Sequence, residues 1–418
     1  MVIMGFGSGA LVALPIMRYL MELNFKAPKY FGSIDSVDTI VEGGKRFLAS
    51  DHAIEVVVAS ASDIAKLGLQ NIALEPGLYA VGTGSTGVGQ TLITIGAAYA
   101  VTMLAASMAY KVPGPKFAPP APVEKAADNK GGESSQTNAN PLALPMGAYV
   151  TASDAIKTRQ FAQVWTSLFL NATAGIAVLG VAKTLMSEAF GSSMPTVVDA
   201  SFCAAYVGAL SLFNGLGRLA WAATSDVIGT QKTYSLFFML GAPLYLSVPV
   251  AAHMAGSDAG GMVPLAMFTT STLAIISMYG GGFSVSPAYL ATLFGNKEVG
   301  NIYGKLLTAW SMAGMIGPTM LGALRRQSEV QAIKELTGKV DPAVFQHQFG
   351  EGVDKLNELI ATNSVSINKL LQIAPPGTID PSPYLYDSSM KVMSALLVLG
   401  LVNNAMMKPV DPKLIKKA

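Results

Sequence analysis

Arg218 is the residue of this 418-residue chain with the clearest chemical potential, because it lies inside an apolar stretch. The run 214–233 passes from apolar residues into a turn that carries Asp226, Gly229 and Lys232. An arginine at the centre of a membrane span costs about 2.5–3.5 kcal/mol on insertion scales, so it normally binds a substrate or a counter-charge. Its planar fork of donors fits a carboxylate. We therefore predict an anion-binding residue, and the alternative is a structural arginine that bonds helix carbonyls.

The composition indicates a membrane protein in a lipid bilayer. Hydrophobic residues make up 51% of the chain and charged residues only 13%, about half the charged share of soluble domains. The net charge of +2 is dispersed, which excludes a nucleic-acid partner. The single cysteine, Cys203, excludes a disulfide within the chain, and the three histidines are scattered, so we predict no metal and no cofactor. Paired carboxylates and nucleophile triads are missing from the apolar runs, which indicates that the chain is not an enzyme.

The apolar runs predict an all-α, multi-pass bundle of about eight membrane-spanning helices, since about 20 apolar residues cross a bilayer. The expected spans lie at 1–21, 86–110, 160–186, 198–222, 233–253, 262–292, 302–324 and 389–407. Lysine and arginine in the short loops then fall on one side, which the positive-inside rule makes cytoplasmic together with both termini. The sequence leaves open whether the membrane is the plasma membrane or that of an organelle.

Three longer breaks separate the spans. Residues 22–85 include an amphipathic stretch, 53–69, and are expected to form an extramembrane cap. Residues 325–388 are its partner, and the apolar spacing within 353–371 predicts an amphipathic helix on the bundle or at the lipid surface. Residues 111–159 are rich in Pro, Ala, Ser, Asn and Lys, which is typical of a flexible linker.

Three motifs occur together and in order: NGLGRLAWAATSDVIG, YGGGFSVSPAYLATLFG and NIYGKLLTAWSMAGMIGP. Together with FLNATAGIAVLGVAK at 169–183 and MGFGSGALVALP at 4–15, they resemble the oxalate/formate antiporter family of the major facilitator superfamily. The resemblance implies two halves of helices joined by a cytoplasmic linker, and a cavity that opens alternately to each side. The corresponding domains are 1–110, a remnant of the N-terminal half; 111–159, the linker; 160–407, a complete C-terminal half; and 408–418, a cytoplasmic tail. The family's first four helices are expected to be missing, as in a fragment rather than a natural eight-helix carrier.

The resemblance also implies a function, secondary transport of small organic anions such as monocarboxylates or dicarboxylates, with Arg218 as the anion ligand. Transport would be driven by exchange with a counter-anion or by a coupled proton. Oxalate carriers of the family are expected to place a lysine where this chain has Trp310. Lys305 lies five residues earlier, on another face of the helix, and is a poor replacement. A monoanion, or a carboxylate with an apolar body, is therefore expected rather than oxalate.

Four further residues are candidates for the wall of the substrate cavity. Tyr279, Phe283 and Trp310 each offer apolar surface. Tyr279 adds a hydroxyl donor and Trp310 adds an indole donor. Their alternative role is ordinary helix packing. Asn171 lies in a glycosylation sequon inside a predicted span, where glycosylation is excluded, so we expect it to line the cavity.

Asp226, Gly229 and Lys232 match the cytoplasmic loop of the superfamily, in which an acidic group and a tight turn help to close the gate. Val227 and Thr230 stand where basic residues are usual in that loop. The alternative to a gating role is that these residues form an ordinary charged turn in contact with water.

Two other interpretations complete the predictions. The missing helices favour a non-transporting carrier remnant that serves as a membrane partner or has no function. The glycines at positions 82, 84 and 87 satisfy G-x-G-x-x-G, but with no strand expected before them and an apolar span directly after them, a nucleotide site is rejected.

Overall fold

A computed structural model describes residues 9–42, 45–61, 63–64, 73–111, 141–145, 147–256 and 262–417. In chain order, the described helices are α1 Ala10–Asn24, α2 Val88–Ala109, α3 Ala152–Ala155, α4 Arg159–Phe190, α5 Ala200–Ile228, α6 Thr230–Gly256, α7 Met262–Phe294, α8 Val299–Thr337, α9 Pro342–Phe349, α10 Leu356–Ala361, α11 Ile367–Ile373 and α12 Asp387–Ala405. The described strands are β1 Tyr30–Gly32, β2 Thr39–Glu42, β3 Lys45–Leu48, β4 Asp51–Ala59, β5 Gly77–Ala80, β6 Ala148–Tyr149 and β7 Lys416–Lys417.

Six described helices are long and apolar enough to cross a membrane, namely α2, α4, α5, α6, α7 and α12 with the turn before it. They coincide with six of the predicted spans and confirm a helical membrane bundle. The predicted span 302–324 does form a helix, α8, but this helix continues to Thr337, and its charged residues make it less apolar than the other six. The predicted span 1–21 includes residues 1–8, which lie outside the described part, so α1 has 15 described residues.

Helices α4 to α8 and α12 pack into one bundle, in which α5 and α7 make the most extensive contact. The bundle core is rich in aromatic side chains, and Tyr234 and Tyr289 are completely buried in it. Asn404 joins three helices there, because it accepts a hydrogen bond from the Tyr289 hydroxyl at 3.0 Å and donates to the carbonyl of Gln231 at 2.9 Å. Satisfied polar groups of this kind fix the register of neighbouring helices in a medium without water.

Helix α2 differs from the bundle helices, since Thr91 is its one buried residue. It contacts α1, and apolar side chains cover its remaining faces. A helix that is apolar all round belongs in lipid or among other helices. In the described part of the chain, α2 is therefore a candidate membrane span whose apolar faces are mostly exposed.

The segment after α1, which the sequence analysis predicts to be extramembrane, contains an antiparallel five-stranded sheet with strand order β1-β5-β4-β3-β2. Leu48, Val56 and Leu78 form its small core. The sequence analysis did not predict these strands, and β4 takes the first part of the amphipathic stretch 53–69. Strand β5 also precedes the G-x-G-x-x-G glycines, which corrects the expectation that none would. However, both strands that pair with β5 in the described part of the chain are antiparallel to it, and the following helix is an apolar span, so these residues do not form the crossover unit of a dinucleotide site.

The predicted amphipathic helix within 353–371 is broken into α10 and α11. The break follows from Asn363, which adopts a left-handed conformation with φ of 54° just after α10. The apolar residues of both helices, Leu359, Ile360, Ile367 and Leu370, are buried against the main bundle cluster. The sequence analysis predicted a location on the bundle or at the lipid surface, and in the structure these helices pack on the bundle.

The two segments that the sequence analysis predicts to be extramembrane contact each other. The Arg46 guanidinium donates to the carbonyl of Gln348 at 3.3 Å, and Val41 packs against Gly350. Burial lowers the pKa of Arg46 and of Lys369, which lies nearby. The cap and its partner segment therefore form a joint surface.

Residues 141–145 and 147–158, which the sequence analysis included in the flexible linker, pack against the bundle. Leu142, Val150 and Ala155 are buried there, and β6 pairs with β7 in the register Ala148↔Lys417. This packing corrects the prediction for the end of the linker 111–159, and its residues 112–140 lie outside the described residues.

Candidate functional site

Arg218 lies inside the bundle, on α5, with only 2% of its surface exposed. The carbon at the centre of its guanidinium lies 4.9 Å from the centre of the Phe283 ring on α7. Its Nε donates to the Asn214 side-chain oxygen, one turn earlier, at 3.4 Å. Stacking on an aromatic face stabilises a cation without neutralising it. The arrangement therefore preserves a positive charge in a region of low dielectric.

Glycines bring Arg218 this close to α7. A Cβ atom added at Gly217 would overlap the carbonyl of Ser277, and one added at Gly280 would overlap the carbonyl of Asn214. The backbones of α5 and α7 thus touch directly, as small residues permit in membrane bundles. The Ser284 hydroxyl donates to the carbonyl of Arg218 at 2.9 Å and adds a bond across the same contact.

The aromatic candidates lie beside the guanidinium. The Trp310 indole N–H donates to the Tyr279 hydroxyl at 3.0 Å, which joins α8 to α7. The Phe283 ring centre lies 6.0 Å from that of Trp310 and 6.3 Å from that of Tyr303. The structure therefore brings Arg218 and the three predicted aromatic residues into one cluster.

Tyr303 is a member of this cluster that sequence reasoning missed. It precedes Trp310 by seven residues on α8, two helical turns, so both side chains lie on one face. This spacing was the available signal. Tyr303 also interacts electrostatically with Arg218, as does Tyr279.

Asn171, on α4, is bound to the backbone of α7. Its amide donates to the carbonyl of Met278 at 3.5 Å, and its side chain lies directly against Gly282. A small cavity of about 10 Å³ lies between Asn171, Gly175 and Tyr279, enough for about one water molecule. Asn171 therefore holds α4 against α7 behind the aromatic cluster.

The candidate gating residues form the turn between α5 and α6. Gly229 has a φ of 89°, which other residues rarely adopt, and its N–H donates to the carbonyl of Ser225 at 2.9 Å. Asp226 and Lys232 flank the turn and are exposed. The tight turn is thus present, while its gating role stays a prediction.

A second charged cluster, at the opposite end of the bundle, was also missed by the sequence analysis. Arg325 on α8 forms a two-pronged ion pair with Glu188 on α4 and bonds the Tyr386 hydroxyl at 3.1 Å. Glu329 accepts a further bond from Arg325 at 3.2 Å. The partners come from distant parts of the chain, so the sequence offered no local signal for this cluster.

Groups of three or more His, Cys, Asp or Glu side chains that could hold a metal are not found in the described part of the chain.

Comparisons with known proteins give two partial matches. The chain is 30% identical over 158 residues to "Apicoplast pyruvate carrier 1" of Toxoplasma gondii, covering 38% of this chain and 27% of that protein. It is 26% identical over 166 residues to "Oxalate:formate antiporter" of Oxalobacter formigenes, covering 40% of this chain and 36% of that protein. This is an integral, multi-pass membrane protein. No protein-family model matches the chain, and it aligns with about a quarter to a third of the length of these two relatives.

Proposed function

We propose that this protein is a secondary transporter of small organic anions in which Arg218 binds the substrate carboxylate. The observation that carries the proposal is the buried guanidinium of Arg218, held on the face of Phe283 inside a membrane bundle. A desolvated arginine fork binds a carboxylate more strongly than an exposed one, because water competes less. The names of the two relatives, a pyruvate carrier and an oxalate:formate antiporter, also refer to small carboxylates.

A monocarboxylate with an apolar body fits this cluster better than oxalate. A dianion is expected to need a second cation beside Arg218, and Lys305 on α8 is exposed instead. The position expected to hold a lysine in oxalate carriers carries Trp310, whose N–H already bonds Tyr279. Phe283, Tyr303 and Trp310 supply apolar surface next to the cation. Pyruvate is a molecule of this class.

Transport would proceed by alternating access, with exchange against a counter-anion or coupling to a proton. In this proposal, Asp226, Gly229 and Lys232 act at the cytoplasmic gate. Asn171 and Tyr279 support the cavity wall. The rest of the cavity would come from helices beyond the six-helix bundle.

The experiment is counterflow of labelled pyruvate and labelled oxalate in proteoliposomes that contain this chain. We expect uptake of pyruvate to exceed that of oxalate. Arg218→Ala should abolish exchange, while Arg218→Lys should retain a small part of it, since lysine keeps the charge without the fork. The matched control is Lys305→Gln, which should exchange like the unmodified chain. Full exchange by Arg218→Ala would overturn the proposed role.

A binding assay separates substrate recognition from transport. Trp310 lies next to Phe283, so carboxylate binding should change its fluorescence when Trp165 and Trp221 are replaced by Phe. Loss of a buried charge partner costs about 2–5 kcal/mol, so Arg218→Ala should weaken pyruvate binding about 30-fold or more. Binding without exchange would favour the non-transporting membrane partner. A chain that neither binds nor exchanges carboxylates would refute the proposal.

A further inference from the structure

A cavity of about 420 Å³ lies at the loop end of the bundle, away from Arg218. It forms where the start of α4 meets the residues that follow α12. Lys157, Arg159 and Lys408 line it, and all three side chains are exposed. The cavity therefore brings together basic residues that are far apart in sequence.

The two acidic residues of this cavity have partners. Asp154 accepts a bond from the Thr151 hydroxyl at 2.5 Å and lies 3.8 Å from the Lys416 ammonium. Asp411 accepts from the backbone N–H of Lys413 at 2.9 Å. Within the described ranges, no ion pair engages the three lining cations. The positive charge of the cavity is therefore available to a ligand.

The floor of the cavity is fixed by hydrogen bonds. Gln160 donates to the carbonyls of Lys408 and Pro409, at 3.2 and 2.8 Å. Gln163 and Asn403 bond each other's backbone carbonyls, at 3.3 and 2.7 Å. These bonds hold the end of α12 over the first turn of α4. The positive end of the long α4 dipole adds to the potential there.

The side chains next to the cavity favour an anion that is part of a lipid over a free anion. Val398 and Val402 on α12, and Met406 directly after it, follow one another at helical spacing up to the cavity, and all three are exposed. An apolar stripe that ends at a basic cavity matches the two parts of a phospholipid, with the acyl chains along the stripe and the phosphate among the cations. A free phosphate ion would make no use of the stripe.

We infer that this cavity binds the headgroup of an anionic phospholipid between α4 and α12, on the side that the positive-inside rule makes cytoplasmic. The inference does not depend on the transport proposal. A lipid bound there would contact both α4, the first helix of the bundle in chain order, and the residues after α12, the last one. Basic residues near an anionic membrane surface contribute about fivefold each to binding.

Native mass spectrometry of the purified chain tests this inference, with phosphatidylglycerol as the probe and phosphatidylcholine as the neutral comparison. We expect preferential retention of phosphatidylglycerol. The triple variant Lys157→Gln, Arg159→Gln, Lys408→Gln should lower its affinity by about a hundredfold. Excess inorganic phosphate should compete weakly.

The matched control removes three exposed lysines from the opposite end of the molecule, as Lys334→Gln, Lys339→Gln, Lys391→Gln, and should leave phosphatidylglycerol retention unchanged. Helical circular dichroism and a single size-exclusion peak check that both triple variants fold. Equal retention of the two lipids, equal loss in both triple variants, or full displacement by inorganic phosphate would overturn the inference. Should the cavity variant fail to fold, the single variant Lys408→Gln, on the segment after α12, provides the same comparison with an expected fivefold loss.

Discussion

The contact between α5 and α7 should depend on the absence of a side chain at Gly280. A Cβ atom there would overlap the backbone carbonyl of Asn214 well inside 3.0 Å, a separation that real Cβ atoms essentially never violate. A backbone carbonyl within a helix has little freedom to move aside. Gly280→Ala must therefore push the two helices apart.

The expected loss of stability can be worked out by comparing alanine substitutions at two glycines. Overpacking of a tight contact destabilises by about 1–3 kcal/mol. Gly314→Ala is the matched control, since Gly314 lies within helix α8 and a Cβ there meets nothing within 4 Å. A glycine replaced by alanine in an open helix position gains about 0.5–1 kcal/mol. The two variants should therefore differ in free energy of unfolding by about 1.5–4 kcal/mol.

Two measurements check this prediction. Denaturant titration in mixed micelles, followed by circular dichroism, gives the difference in free energy of unfolding. Trp310 fluorescence gives carboxylate binding, which Gly280→Ala should weaken because Phe283 moves away from Arg218. Equal stability of Gly280→Ala and Gly314→Ala would refute the reasoning that the two backbones touch.

Two more predictions concern the opposite end of the molecule. Glu188→Gln removes the charge that pairs with Arg325 in a partly buried cluster. It should therefore lower the free energy of unfolding, measured by denaturant titration, by about 1–3 kcal/mol. A change below about 0.5 kcal/mol would contradict this prediction. Gly350→Ala should loosen the contact with Val41 and speed proteolysis of the two segments that this contact joins. Gly377→Ala is its control, because both glycines have positive φ but only Gly350 faces a neighbour, so equal proteolysis rates would exclude the contact.

The membrane bundle could be predicted because its signal is local. A run of about 20 apolar residues must form a helix in lipid, whatever the rest of the chain does. The same holds for the spacing of Tyr279 and Phe283, which places both on one face of α7 with no tertiary information. A charged residue in such a run, Arg218, is equally visible because its burial is costly.

The extramembrane sheet could not be predicted in this way. Four of its five strands have only three or four residues, and β1 pairs with β5 across more than 40 residues, so Tyr30 opposes Tyr79. Pairing of this kind depends on non-local contacts, which a window of sequence does not contain. The Arg325–Glu188 pair could not be predicted for the same reason, because its members are 137 residues apart.

The sequence by itself determined that this chain inserts repeatedly into a bilayer and places Arg218 within an apolar run, since solvation by lipid depends on composition alone. Only the tertiary structure decided what that arginine touches. Glycines on α5 and α7 let the backbones meet, which places the guanidinium on Phe283, and the meeting of α4 with the end of α12 gathers separate basic residues around one cavity. Such distances are set by the packing of helices against each other, so no single segment encodes them.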